Sequence, residues 1–163
     1  MLKVSGIDVF YGDLQVLWDV SFEVRDKEIL VLVGANGAGK STTLKTISGL
    51  LTPRKGAIEF DGVRLDQLPP DKVIGRGLMA LPKVLMFDEP SLGLSPILVQ
   101  DVFEIAKRIN REGVTVMLVE QNVRQTLAMC DRAYVLENGR VVLEGTGKDL
   151  MADPHVKEAY LGI

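Results

Sequence analysis

The sequence predicts an α/β domain of three layers, in which helices cover a mainly parallel sheet and an antiparallel β accessory sheet stands on one side. Three observations carry this. Strand and helix periods alternate from residue 28 to residue 129. Several strands in that stretch are short, wholly apolar runs of the kind buried on both faces of a parallel sheet. Before residue 28, and again around Asp61-Gly62, the pattern changes to that of antiparallel strands and a hairpin.

Taken in order, Leu2 to Phe10 and Val16 to Val24 alternate apolar and polar residues and read as half-buried strands. Glu28 to Val33 is a buried strand, and Ser41 to Ser48 a helix closed by Gly49. Ala57 to Phe60 and Val63 to Leu65 flank Asp61-Gly62, a two-residue hairpin signal. After Pro69-Pro70, a short helical stretch around Gly75 to Leu81 leads to the apolar strand Val84 to Phe87. Leu98, Val102, Ile105, Ala106 and Ile109 share one helical face, which predicts an amphipathic helix from Pro96 to Glu112, with proline in its first turn and Gly113 at its end. Val114 to Val119 is a further buried strand and Asn122 to Met129 a further helix. Ala133 to Glu137 and Arg140 to Glu144 form a second hairpin about Asn138-Gly139, and Lys148 to Leu161 is expected to be helical. No internal repeat or long linker interrupts the chain, so residues 1–163 read as a single domain.

Within this frame one loop carries chemistry. Gly34-Ala35-Asn36-Gly37-Ala38-Gly39-Lys40-Ser41-Thr42 fits G-x-x-x-x-G-K-[ST], with a buried strand before it and a helix after it. Its glycines let successive N–H groups converge on phosphate oxygens, and the helix adds the positive end of its dipole. Residues 34 and 36–42 are therefore the candidate phosphate contacts; Lys40 would reach the β and γ phosphates, and the Ser41 hydroxyl would ligate Mg²⁺. Such a loop needs a carboxylate from a neighbouring strand, and Val84-Leu85-Met86-Phe87 ends in Asp88-Glu89-Pro90. Ligands gather at the carboxyl ends of the strands in an open parallel sheet, so Asp88 is the candidate second metal ligand and Glu89 the group that orients or deprotonates an attacking water. The implied cofactors are ATP and Mg²⁺.

Composition excludes more than it suggests. The net charge of −3, from 19 basic and 22 acidic residues, offers no electrostatic footprint for nucleic acid. Cys130 is the single cysteine, so no bridge can form within the chain, which suits a reducing compartment. No apolar run approaches the ~20 residues of a membrane span and no signal-peptide core follows Met1, so the expectation is a soluble cytoplasmic chain linked to membranes through partners. His155, the single histidine, lies beside Pro154 in the tail and reads as a surface residue.

The succession GANGAGKST, LMFDEP, SLGLSP, LVEQN and YVLENGRVVLEGTG resembles the ATPase of ABC transporters, and in detail the ATP-binding subunit of branched-chain amino-acid importers. The resemblance implies a P-loop NTPase core with Walker A and Walker B motifs, a related ATPase subunit as dimer partner, membrane permeases as further partners and a peripheral place on the inner face of the cell membrane. It implies that Tyr11 stacks on adenine, and that Ser91-Leu92-Gly93-Leu94-Ser95 is the D-loop facing the partner. It also implies that Gln121 contacts the γ-phosphate, where most of the family carries histidine and the branched-chain amino-acid subgroup glutamine. A glutamine amide can donate a hydrogen bond there but cannot carry the charge of a protonated histidine.

One departure cuts across the resemblance. Lys40 and Asp88 are 48 positions apart, and the Q-loop, helical subdomain and LSGGQ-type signature that the family places between them are absent, with an apparent junction near residues 73–76. A natural deletion, a designed core and a segment missing from the sequence all fit this pattern. The neighbour of Val84 to Phe87 in the family falls inside the gap, so that strand is expected at an open sheet edge. Two functions follow: an ATPase subunit driving amino-acid uptake, or a nucleotide-binding core that lacks coupled turnover because the signature that closes over the γ-phosphate is missing.

Overall fold

A computed structural model describes residues 1–73 and 83–162. The chain opens with β1 (Leu2–Tyr11) and β2 (Leu14–Val24), which pair antiparallel, and β1 pairs on its other side with β4 (Lys55–Phe60), followed by β5 (Val63–Arg64). These form the accessory sheet, ordered β2-β1-β4-β5. The second sheet is ordered β6-β7-β3-β8-β9, from β3 (Ile29–Val33), β6 (Val84–Asp88), β7 (Thr115–Glu120), β8 (Arg132–Glu137) and β9 (Arg140–Thr146). Its first four strands are parallel; β9 returns antiparallel to β8.

The period of two along β3 divides the core. Leu30 and Leu32 point into a cluster shared with Leu2, Val4, Ile7 and Ile58 of the accessory sheet and with Leu44 and Ile47 of α1 (Lys40–Ile47). Val31 and Val33 point the other way, into a cluster with Ala106 of α3 (Pro96–Arg111) and with Val123 and Leu127 of α4 (Val123–Leu127). With both faces covered, every residue of β3 and β7 is buried, which is why β3 and the stretch Val116 to Val119 of β7 read as unbroken apolar runs.

Two expectations are corrected. The inward face of α3 is Val99, Phe103 and Ala106, while Leu98 and Ile105 are 48% and 44% exposed. The residues from Leu98 to Ile109 carry two overlapping apolar stripes at helical spacing, and the sheet takes the one centred on Phe103. The tail is not one helix: α5 (Gly147–Ala152) stops at Asp153, which is extended at φ −64° and ψ 131°, and α6 (Pro154–Val156) then leads into a π-helical turn at Lys157–Leu161. A residue before proline is pushed out of the helical region, so Asp153 ends one element and caps the next by accepting from the Val156 N–H. A short helix α2, Pro70–Val73, starts directly at Pro70, and the helical stretch expected around 75–81 lies outside the described residues.

Among the described residues β6 has a neighbour on one side alone, β7, as the edge expectation required. No helix among them is long and apolar enough to cross a membrane.

Candidate phosphate site

Strand register assembles the site. Val33 stands opposite Glu120 and Asp88 opposite Val119, so the ends of β3, β7 and β6 lie side by side and deliver Gly34, Gln121 and Glu89 to one rim. From β3 the chain turns through residues 34–39 into α1, and Gly39 at the helix start has φ 103°, open to glycine and costly to other residues. A Cβ there would lie 2.5 Å from Cδ2 of Leu17. At Gly39 the loop therefore sits close against β2, where a side chain would require Leu17 to move.

Lys40 is folded back over this loop, its side chain 3% exposed. Its ammonium donates to the carbonyls of Gly34 (3.0 Å) and Ala35 (3.1 Å) and pairs with Oε1 of Glu89 at 3.1 Å. Ser41 donates its hydroxyl to Oδ1 of Asp88 at 2.9 Å. A cavity of about 300 Å³ opens here, lined by Val16, Asn36, Gly37, Gly39, Lys40, Ser41, Thr42 and Glu89. The loop residues and both carboxylates of the Asp-Glu pair thus converge, although 47 positions separate Ser41 from Asp88. Gly34 lies at the base of the loop, pressed against the Leu136 carbonyl, and Ala38 is buried, its carbonyl accepting from the Gly139 N–H at 3.0 Å. Tyr11 stands at the end of β1, opposite Leu14 and 43% exposed, and is not a wall of this cavity. Gln121 follows directly on β7, half-buried, with its backbone N–H on Oε2 of Glu120.

Glu89 is held in the left-handed region at φ 46°, a conformation that costs a non-glycine residue about 1–2 kcal/mol. The Glu89 N–H donates to the Val119 carbonyl at 2.8 Å, and the Glu89 carbonyl accepts from Leu92 at 3.0 Å. Its backbone is fixed at the rim, and its side chain reaches Lys40.

Two supports escaped sequence reasoning. Glu120 is fully buried, and its carboxylate accepts from the Ser91 N–H (2.9 Å), the Ser91 hydroxyl (2.8 Å) and the Gln121 N–H (3.3 Å). It ties the chain after β6 to the end of β7. A charged residue closing a strand covered on both faces must be partnered, and that was the available signal. The second support is the β8–β9 turn. Trp18 N–H donates to Gly139 O at 2.9 Å, so the turn that braces Ala38 is itself anchored on β2. Beside it, Glu137 accepts from Tyr160 (2.8 Å) and contacts Nε2 of His155 (2.7 Å), so the tail is docked behind the loop. Hydrogen bonds from His155 and Tyr160 hold the Glu137 carboxyl below its ordinary value, and Glu137 raises His155 in return. Burial pushes the Cys130 thiol up to about 12, which keeps it protonated and unreactive.

A family model for ABC transporters matches residues 17–75. The high-affinity branched-chain amino acid transport ATP-binding protein BraG of Pseudomonas aeruginosa is 38% identical, in an alignment that takes in 99% of this chain and 100% of that protein. The chain belongs to the ABC transporter ATP-binding family. A probable branched-chain amino acid transport ATP-binding protein, LivF, of Archaeoglobus fulgidus is 26% identical over 100% of this chain and 99% of its own length. An ATP-binding cassette of an ABC transporter, solved in its ADP conformation, superimposes with a TM-score of 0.87 at 21% identity, covering 100% of this chain and 99% of the other, which places the fold in the ABC cassette class. The BraG alignment runs over 232 positions and this chain has 163 residues, so at least 69 aligned positions (232 less 163) have no counterpart here.

Proposed function

We propose that residues 34 and 36–42 cradle the phosphates of Mg-ATP, and that the chain is the ATP-binding, ATP-hydrolysing subunit of an ABC importer for branched-chain amino acids. The observation that carries this is the convergence of Lys40, Ser41 and Glu89 on one cavity at the carboxyl ends of parallel strands, with Asp88 accepting from the Ser41 hydroxyl at its edge. Loop N–H groups and the Lys40 ammonium bind the phosphates, while Glu89 orients the attacking water and accepts its proton. Gln121 donates an amide hydrogen bond toward the γ-phosphate, and Tyr11 stacks on the base from the end of β1.

The Ser41 hydroxyl and the Asp88 carboxylate fit magnesium, because they are hard oxygen donors within 2.9 Å of one another and leave the remaining positions to water and phosphate. Bound there, the ion would supply positive charge to the phosphate oxygens.

The substrate class rests on the 38% identity with BraG and on glutamine at position 121. In this proposal the partners are a related ATPase subunit and membrane permeases, and the chain sits on the cytoplasmic face of the membrane through them. We take residues 1–163 as one domain with a junction near 73–76; the family match ending at residue 75 supports that position.

The 69 unmatched positions favour a second reading, a nucleotide-binding core without coupled turnover. A missing set of trans-acting donors costs orders of magnitude in rate. Steady-state ATP turnover of the purified chain, alone and mixed with a full-length relative, separates the two. The second reading gives near-background turnover that Glu89→Gln barely changes, and a robust ATPase abolished by Glu89→Gln would overturn it.

A further inference from the structure

The Lys40 ammonium donates to the Gly34 and Ala35 carbonyls and forms an ion pair with Oε1 of Glu89 at 3.1 Å. A phosphate oxygen that approaches this nitrogen competes with these three oxygens for it. The two carbonyls belong to the turn that forms the loop, so moving either would dismantle the cradle. The carboxylate is the removable one, because it stands on a side chain whose backbone is fixed separately by the Val119 carbonyl and the Leu92 N–H. It is also an anion, as a phosphate is, and it holds the ammonium in a pocket where the lysine is 3% and the glutamate 18% exposed.

We propose that Glu89 is an intramolecular competitor for Lys40 and sets the affinity with which the loop takes phosphate. The proposal rests on the phosphate-site reading above and adds to it a term that opposes binding. Every ligand that puts an anionic oxygen on the Lys40 ammonium competes with Glu89 for it. A ligand without phosphate does not touch the pair and does not bear that cost. Once displaced, the carboxylate remains at the rim, because its φ of 46° and its two backbone hydrogen bonds do not depend on Lys40. One residue thus passes from guarding the ammonium to facing the phosphate.

Titration calorimetry of the 163-residue chain with Mg-ADP, magnesium pyrophosphate and adenosine tests this. ADP and pyrophosphate are chosen over ATP so that hydrolysis does not enter. A partly buried, charge-assisted pair lies between an exposed salt bridge and a fully buried one, so its removal should tighten phosphate binding about tenfold, equivalent to ~1.4 kcal/mol. Glu89→Gln should give this gain with ADP and with pyrophosphate and leave adenosine unchanged. Glu89→Asp retains the charge but is one methylene shorter, so it should open the pair and give a comparable gain. Unchanged affinity in both variants overturns the proposal. So does a gain with Gln alone, which would reflect relief of repulsion against bound phosphate rather than loss of a competitor. Lys40→Ala separates the two levels: if it binds Mg-ADP as tightly as the unaltered chain, the phosphate-site reading itself fails. If Lys40→Ala weakens binding and the Glu89 variants change nothing, the site stands and the competition does not.

Discussion

Two of the hairpin turns, β4–β5 and β8–β9, provide a matched pair for testing how the phosphate loop is braced. Asp61-Gly62 and Asn138-Gly139 share one backbone form, with φ of 49° and 79° in the first and 47° and 73° in the second. Replacing either glycine by alanine places a Cβ in the left-handed region, at ~1–2 kcal/mol. The surroundings differ. Nothing lies within 4 Å of a Cβ at Gly62, whereas one at Gly139 would run into the Val16 carbonyl oxygen and lie 2.6 and 2.7 Å from ring carbons of Trp18. Overpacking of that kind costs a further ~1–3 kcal/mol, because the backbone of β2 has to yield. Gly139→Ala should therefore lose ~1–3 kcal/mol more than Gly62→Ala, read as urea midpoints at an unchanged m-value. In a thermal melt the gap corresponds to about 2–4 °C per kcal/mol for a chain of this size. Gly139 also donates to Ala38 within the loop, so its alanine variant should weaken Mg-ATP binding while Gly62→Ala does not. Equal losses of stability in the two variants, or equal affinities, would refute the idea that this turn props the loop.

Two further outcomes follow from the same contacts. His155 is raised above its ordinary value by Glu137, so its share of tail stability is complete below about pH 6.5 and fades as pH climbs through the raised folded value; Glu137→Gln should flatten that dependence in melts taken from pH 5 to 9. The edge strand β6 carries no charge or proline from Val84 to Phe87, so light scattering should detect more self-association than in a full-length relative. Mg-ATP should partly reverse it, by up to ~2.7 kcal/mol of added stability at a hundredfold excess over Kd, and a monodisperse chain indifferent to nucleotide would contradict the edge argument.

Much of this architecture is legible in the residues because the signals are local. A buried run such as Val31-Leu32 has few alternatives, and Asp-Gly and Asn-Gly specify their turns through backbone conformation alone. Phosphate-loop spacing and a strand ending in Asp-Glu imply each other, and Ser41 does meet Asp88. What was missed depends on contacts distant in sequence. Leu98 and Val99 both begin acceptable helical stripes, and only the position of the sheet chooses between them. Glu120 looks like the polar end of a strand until Ser91 is brought to it across 29 positions. The break at Asp153 is the exception, since Asp-Pro announces it and the helical pattern on either side concealed it.

The central claim is that the loop from Gly34 to Thr42 binds nucleotide phosphates through Lys40. Calorimetric titration of Mg-ATP into Lys40→Ala and Lys45→Ala tests it most directly, because both variants remove one lysine from α1 and only Lys40 faces the cavity. Lys40→Ala should weaken binding by at least ~1.5–3 kcal/mol, the worth of a charge-assisted hydrogen bond, and Lys45→Ala should leave it unchanged. Equal effects of the two substitutions would contradict the assignment of the phosphate site.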